Sequence, residues 1–195
     1  HAVIEAMRIA YRDRARFLGD PDMVTVDTKR LLSPTYHARQ RALIRPHTRA
    51  RLVGQDRDTG GEGTNTTHLS IIDHEGNRVA ATLSLNTSFG SAYTVPSTGV
   101  LLNNQMDDFV LLPGMANTYG LVGSRANKIA PGKRPLSSMT PTFVESDDRV
   151  VILGTPGGSR IISAVLLATL DIAEGRGDAT EWMRHPRYHH QYLPD

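Results

Sequence analysis

The sequence predicts a mixed α+β layered fold, with helices packed beside strands, and three observations point there. Two stretches read as β-hairpins closed by turn residues. Amphipathic helical stretches precede and follow them. A glycine-rich connection leads from the second hairpin into a helix. At 195 residues the chain is long enough for one sizeable core and short for two.

Taken in order, Val3, Ala6, Met7, Ala10 and Phe17 recur at helical spacing, which predicts a helix over 1–17 with these residues on its apolar face. Leu18-Gly19-Asp20-Pro21-Asp22 is a turn. A second, arginine-rich helix begins near Ser33, because Pro34 suits a first helical position. Residues 54–65 (GQDRDTGGEGTN) are glycine-rich, polar and without period, and so predict an exposed, accessible loop.

A strand starts at Thr66, and a second (RVAATLSLN) alternates with Val79, Ala81, Leu83 and Leu85 on one side and Thr82, Ser84 and Asn86 on the other. His74-Glu75-Gly76 joins them as a hairpin loop. Pairing Asp73 with Asn77 sets Thr66 opposite Ser84, with Asn86 near on the same face, and a slip of one residue reverses this. A second hairpin over 141–154 turns at Ser146-Asp147-Asp148 and contains a buried strand, Val150-Val151-Ile152-Leu153. A helix over 159–174 follows, with Ile161, Val165, Ala168 and Ile172 as its core face and Gly175 closing it. Asp178 and Glu181 form a capping-box pattern for a short last helix, ended by Pro186.

Composition excludes several classes of function. The chain has no cysteine, which removes disulfide scaffolds, thiol nucleophiles and thiolate metal sites. No apolar run approaches the roughly 20 residues of a membrane helix. The formal net charge is +2, and Arg39, Arg41, Arg45, Arg49 and Arg51 form a run without acidic residues. No aromatic side chain interleaves with them to stack on bases, so the run reads as a solvated or partner-facing segment, not a nucleic-acid site.

Four groups of residues have chemical potential. Gly154-Thr155-Pro156-Gly157-Gly158-Ser159-Arg160 leads from a strand into a helix, either as a tight turn or as a nest of backbone N–H groups for an anion or an oxyanion. It lacks the Lys-Ser/Thr pair of a P-loop. Gln105 and Asp108 lie in a dense polar group, suited equally to an ammonium ion or to ordinary turn chemistry. Ser137 and Ser138 offer two adjacent hydroxyls that can donate to a carboxylate, or are an ordinary serine pair of a loop. His185 and His189 are four apart, but Pro186 breaks the helix that a metal pair would need, and His190 adds no carboxylate pattern, so no metal site is expected.

Thr66-Thr67-His68-Leu69-Ser70, followed in order by LNTSFG, LLNNQMDDF, KRPLSSM and GTPGGSR, resembles the gamma-glutamyltranspeptidases, or glutathione hydrolases. HAVIEAMRIAYRDRARFLGDPD also looks like the end of that family's large subunit, so the likeness covers the whole chain. The resemblance implies an N-terminal-nucleophile hydrolase with a four-layer αββα sandwich, left incomplete here because the family continues through further strands beyond HHQYLPD. It implies one precursor cut at Asn65–Thr66. Residues 1–65 would then end the large-subunit region in a processing loop, and 66–195 would belong to the small catalytic subunit.

By motif, Thr66 would be the nucleophile, activated by its own freed amine, and Ser84 would replace a family threonine that hydrogen-bonds it. Gly157 and Gly158 would form the oxyanion hole. Asn86, Gln105 and Asp108 would bind the substrate's α-amino group, and Ser137 and Ser138 its α-carboxylate. The family's carboxylate-binding arginine lies upstream of this chain. No cofactor is implied. The substrates would be glutathione and related γ-glutamyl compounds, with water, amino acids or dipeptides as acceptors, and the location periplasmic or extracellular. Poly-γ-glutamate is the alternative substrate, and an unprocessed, catalytically silent subunit-binding module the alternative class.

Overall fold

A computed structural model describes residues 1–48 and 65–193. Residues 54–64 of the loop predicted at 54–65, and Arg49 and Arg51, lie outside the described residues. The chain forms two compact units that interleave in sequence. Of the described residues, one unit comprises 1–48, 106–137 and 190–193; the other comprises 65–105 and 138–189. Helix and strand are both present, in agreement with the mixed class.

In the first unit, α1 (Ala2–Phe17) runs as predicted but buries a different face. Met7, Ile9 and Tyr11 are buried, whereas Ala6 and Ala10 are exposed and Val3 and Phe17 only half-buried. The reason is charge pairing. Arg8, 1% exposed, donates twice to Glu5 at 3.0 and 2.8 Å, and Arg12 donates to Asp13 at 2.8 Å. Paired and hydrogen-bonded, these charges enter the interior that an apolar count would deny them.

A four-residue helix, α2 (Thr28–Leu31), is capped by Asp27. Next, α3 (Pro34–Arg41) begins as expected, with the Ser33 hydroxyl accepting from the Tyr36 N–H at 3.2 Å. Tyr36 and Gln40 of α3 tie it to α1, through the Asp13 carboxylate at 2.9 Å and the Arg12 guanidinium at 2.7 Å. Arg39, Arg41 and Arg45 are exposed.

The second unit holds two separate antiparallel pairs, β1 (Thr66–Ile72) with β2 (Arg78–Ser84) and β3 (Thr142–Glu145) with β4 (Val150–Leu153). Asp73 does pair with Asn77, Gly76 adopts φ 84°, and the register sets Thr66 against Ser84. Burial along β2 follows the expected alternation only in part: Val79 and Leu83 are exposed, whereas Ala80, Ala81, Thr82 and Ser84 are all half-buried. Leu69, Ile71, Val79 and Leu83 are 40–55% exposed, while Ser70 donates to the Ile152 carbonyl at 3.3 Å and Arg78 pairs with Glu145. The hairpin 141–154 turns through Ser146, but its strand β4 is half-buried, a correction to the buried strand expected there.

A 3-10 turn (Gly158–Arg160) leads into α4 (Ile161–Ala173), which starts two residues later than predicted. Ile161, Val165 and Ile172 are at most 5% exposed, and each contributes about 1.5–3 kcal/mol by burial. Ala168, expected beside them, is half-buried. Gly175 closes the helix with φ 66°. Finally, α5 (Ala179–Arg184) carries the predicted capping box of Asp178 and Glu181.

Candidate active site

The hairpin register brings the first group together. The Thr66 and Ser84 hydroxyl oxygens lie 2.8 Å apart, and the Asn86 N–H donates to Ser84 Oγ at 2.9 Å. With that lone pair taken, the single Ser84 proton has two acceptors, Thr66 Oγ1 and the Asn65 carbonyl at 3.5 Å. Asn86 is 4% exposed, with φ 75°, a left-handed conformation that asparagine tolerates better than most residues. Its side-chain amide donates to the Asn104 carbonyl at 3.3 Å, one residue before Gln105. Ser88 donates to the Asn65 side chain at 3.1 Å.

His68, two residues along the same face from Thr66, was not singled out from the sequence. Its Nε2 lies 3.0 Å from Ser70 Oγ, and its Nδ1 lies 2.8 Å from Thr82 Oγ1. Because Ser70 donates onward to Ile152, its oxygen accepts from Nε2–H, which leaves Nδ1 to accept from Thr82. Burial lowers the His68 pKa and so favours this neutral form. A Cβ placed on Gly154 would meet the imidazole at 2.2 Å, so only glycine fits where β4 opens toward the 154–160 loop. Within that loop Gly157 and Gly158 adopt φ 136° and 56°, and α4 follows with the positive end of its dipole.

A 3-10 turn (Gln105–Asp108) carries Asp108, which belongs to the first unit, while Gln105 at its start belongs to the second. The carboxylate accepts from Asn117 Nδ2 at 3.2 Å. Burial pushes its pKa up to about 6, the nearby Arg14 charge works against that rise, and Asp107 adds to it. Arg14, Asp108, Asn117, Asn127 and Leu136 share the lining of one small pocket. Ser137 is exposed and Ser138 half-buried.

The segment leading to these serines is clamped by Asp20, which is buried. Its carboxylate accepts from the Arg134 backbone N–H at 2.8 Å and from its guanidinium at 2.6 Å. Hydrogen bonding by Arg134 holds the Asp20 carboxyl far below the usual range. No signal in a single sequence pairs residues so far apart. His185 and His189 have separate partners: His185 Nδ1 lies 2.8 Å from an Asp171 carboxylate oxygen, and His189 meets Ser163.

A family model described as gamma-glutamyltranspeptidase matches residues 1–195. The chain belongs to the gamma-glutamyltranspeptidase family. It is similar to the glutathione hydrolase proenzyme of Pseudomonas sp. (strain A14), 47% identical over 199 residues covering 100% of this chain and 34% of that protein. The corresponding proenzyme of Escherichia coli (strain K12) is 43% identical, over 98% of this chain and 33% of its own length. The chain thus spans about a third of the length of these curated relatives. Among solved structures, the gamma-glutamyltranspeptidase of Pseudomonas nitroreducens complexed with L-DON is similar, with a TM-score of 0.63 and 47% identity, over 66% of this chain and 67% of that one.

Proposed function

We propose that this chain is the part of a glutathione hydrolase proenzyme that spans its processing junction, with Thr66 as the nucleophile. The observation that carries the reading is the Thr66–Ser84 hydroxyl pair, 2.8 Å apart, beside the Asn65 carbonyl. Before cleavage the Thr66 nitrogen is an amide and cannot take a proton. Cutting Asn65–Thr66 frees an α-amine with an ordinary pKa of about 8, able to act as the base. The Thr66 hydroxyl then attacks the γ-glutamyl carbonyl carbon and its proton passes to that amine. The developing oxyanion is taken by the backbone N–H groups at Gly157 and Gly158. Collapse returns the proton to the departing amine and leaves an ester on Thr66. Water, or the amine of an amino acid or dipeptide, then attacks the ester.

Asn86, Gln105 and Asp108 receive the substrate's α-ammonium, with Asp108 supplying the charge. Ser137 and Ser138 donate to its α-carboxylate. A free amino-acid head group of this kind favours glutathione and its relatives over poly-γ-glutamate. The reading extends to a four-layer αββα sandwich completed outside this chain, to large and small subunits meeting at 65/66, and to a periplasmic or extracellular location. Its test is hydrolysis of a chromogenic γ-glutamyl anilide by the full-length protein. Activity should be lost in Thr66→Ala; equal activity in wild type and variant would refute Thr66 as the nucleophile.

A further inference from the structure

Asn127 closes the 3-10 turn Arg125–Asn127 and is 4% exposed. Its side chain spends both of its polar ends on backbone. Nδ2 donates to the carbonyl of Asp108 itself at 2.7 Å, and Oδ1 accepts from the N–H of Leu136, directly before Ser137, at 3.2 Å. Its main chain adds a third link, accepting from the Val110 N–H at 3.0 Å. One planar amide, fixed in length, therefore ties the turn bearing Asp108 to the segment bearing Ser137. Lys133 donates to the carbonyls of Ala126 at 2.6 Å and Lys128 at 3.0 Å, a second link between this segment and the turn that ends in Asn127.

We infer that Asn127 is a positioning residue that sets the distance between the α-ammonium and α-carboxylate subsites, and so selects ligands carrying both charges on one carbon. The inference rests on the roles proposed above for Asp108 and Ser137. With both polar ends of its side chain engaged by backbone, Asn127 acts through the groups it places. Its contribution is that both contacts fit at once, since a ligand holding two groups gains fully from each only when their spacing is preset.

The experiment compares three ligands on the full-length protein by titration calorimetry, which needs no turnover: L-glutamate, glutarate (no ammonium) and 4-aminobutyrate (no α-carboxylate). In Asn127→Ala, L-glutamate should weaken about tenfold while the two single-headed ligands change less than about twofold. Asn127→Asp keeps an acceptor for Leu136 but removes the donor to Asp108. It serves where the alanine variant fails to fold, and there L-glutamate should fall toward the affinity of glutarate. Equal weakening of all three ligands, or no weakening of L-glutamate, overturns the inference. Anilide hydrolysis by the wild type is measured alongside. A wild type that is inactive and binds none of the three overturns the functional reading as well, whereas an active wild type with parallel losses overturns the role of Asn127 alone.

Discussion

The carboxyl of Asp108 titrates inside the range where an enzyme can be assayed, which makes its proposed role open to a sharp test. With a pKa near 6 it is about nine-tenths ionised at pH 7 and about one-tenth ionised at pH 5. If only the carboxylate binds the substrate's ammonium, affinity for free L-glutamate falls about tenfold across that interval. Neither charged group on the ligand's α-carbon titrates there, so the bend belongs to the protein. Asp108→Asn removes the charge while keeping a similar shape. At pH 7 it should weaken L-glutamate by about 10–100-fold, the range for a charge-assisted hydrogen bond, and its pH profile should be flat. The assay is the inhibition constant of L-glutamate against anilide hydrolysis, measured at half-unit steps of pH. A flat wild-type profile, or a bend that persists in Asp108→Asn, would refute the reasoning.

Asp108 also has a linked effect on stability. Its folded pKa is raised, so between about pH 4 and pH 6 the unfolded chain gives up a proton that the native state keeps, and stability falls as pH rises. A gap of about two pH units makes this roughly 3 kcal/mol, which Asp108→Asn should not show; parallel urea-unfolding profiles from pH 4 to 7 would contradict it. Ser84→Ala should lower kcat by about 10–100-fold by leaving Thr66 without its partner, whereas Ser84→Thr keeps the hydroxyl and should stay near wild type; identical kcat in all three would count against the pair. Arg134→Ala strips the buried Asp20 of its guanidinium. It should lower the melting temperature above the carboxylate range, with the deficit shrinking as acid protonates Asp20; an unchanged melting temperature removes the clamp from the scheme. Gly154→Ala pushes a methyl into the His68 ring and should cost about 1–3 kcal/mol, part of which His68→Asn in the same chain recovers; a Gly154→Ala protein as stable as wild type would show that the ring yields freely.

Local chemistry in the sequence was enough to place most elements. Turn residues at 73–77 fixed the hairpin and, through its register, the meeting of Thr66 with Ser84. Ser33-Pro34 and the Asp178–Glu181 box announced helix starts because capping is a contact between near neighbours. The rest was decided by partners distant in the chain. Glu5, Arg8, Arg12 and Asp13 are buried because they pair, and an apolar periodicity count reads each of them as solvent-facing. His68, Asp20, Arg134 and Asn127 likewise gain meaning only from what they touch: Gly154, each other, or the main chain at Asp108 and Leu136. The candidate site shows the same division. Thr66, Ser84 and Asn86 meet through local register, while the setting of Asp108 depends on Arg14 and Asn117, which no spacing reveals.

Self-cleavage at one bond is the event on which the proposed chemistry depends, because without it Thr66 has no amine. The most direct measurement is the intact mass of the full-length protein under denaturing conditions, for wild type and Thr66→Ala. The wild type should separate into two pieces, the second beginning at Thr66, and the variant should remain one chain. A cut at any other bond, or the same cut in Thr66→Ala, would contradict self-processing by Thr66.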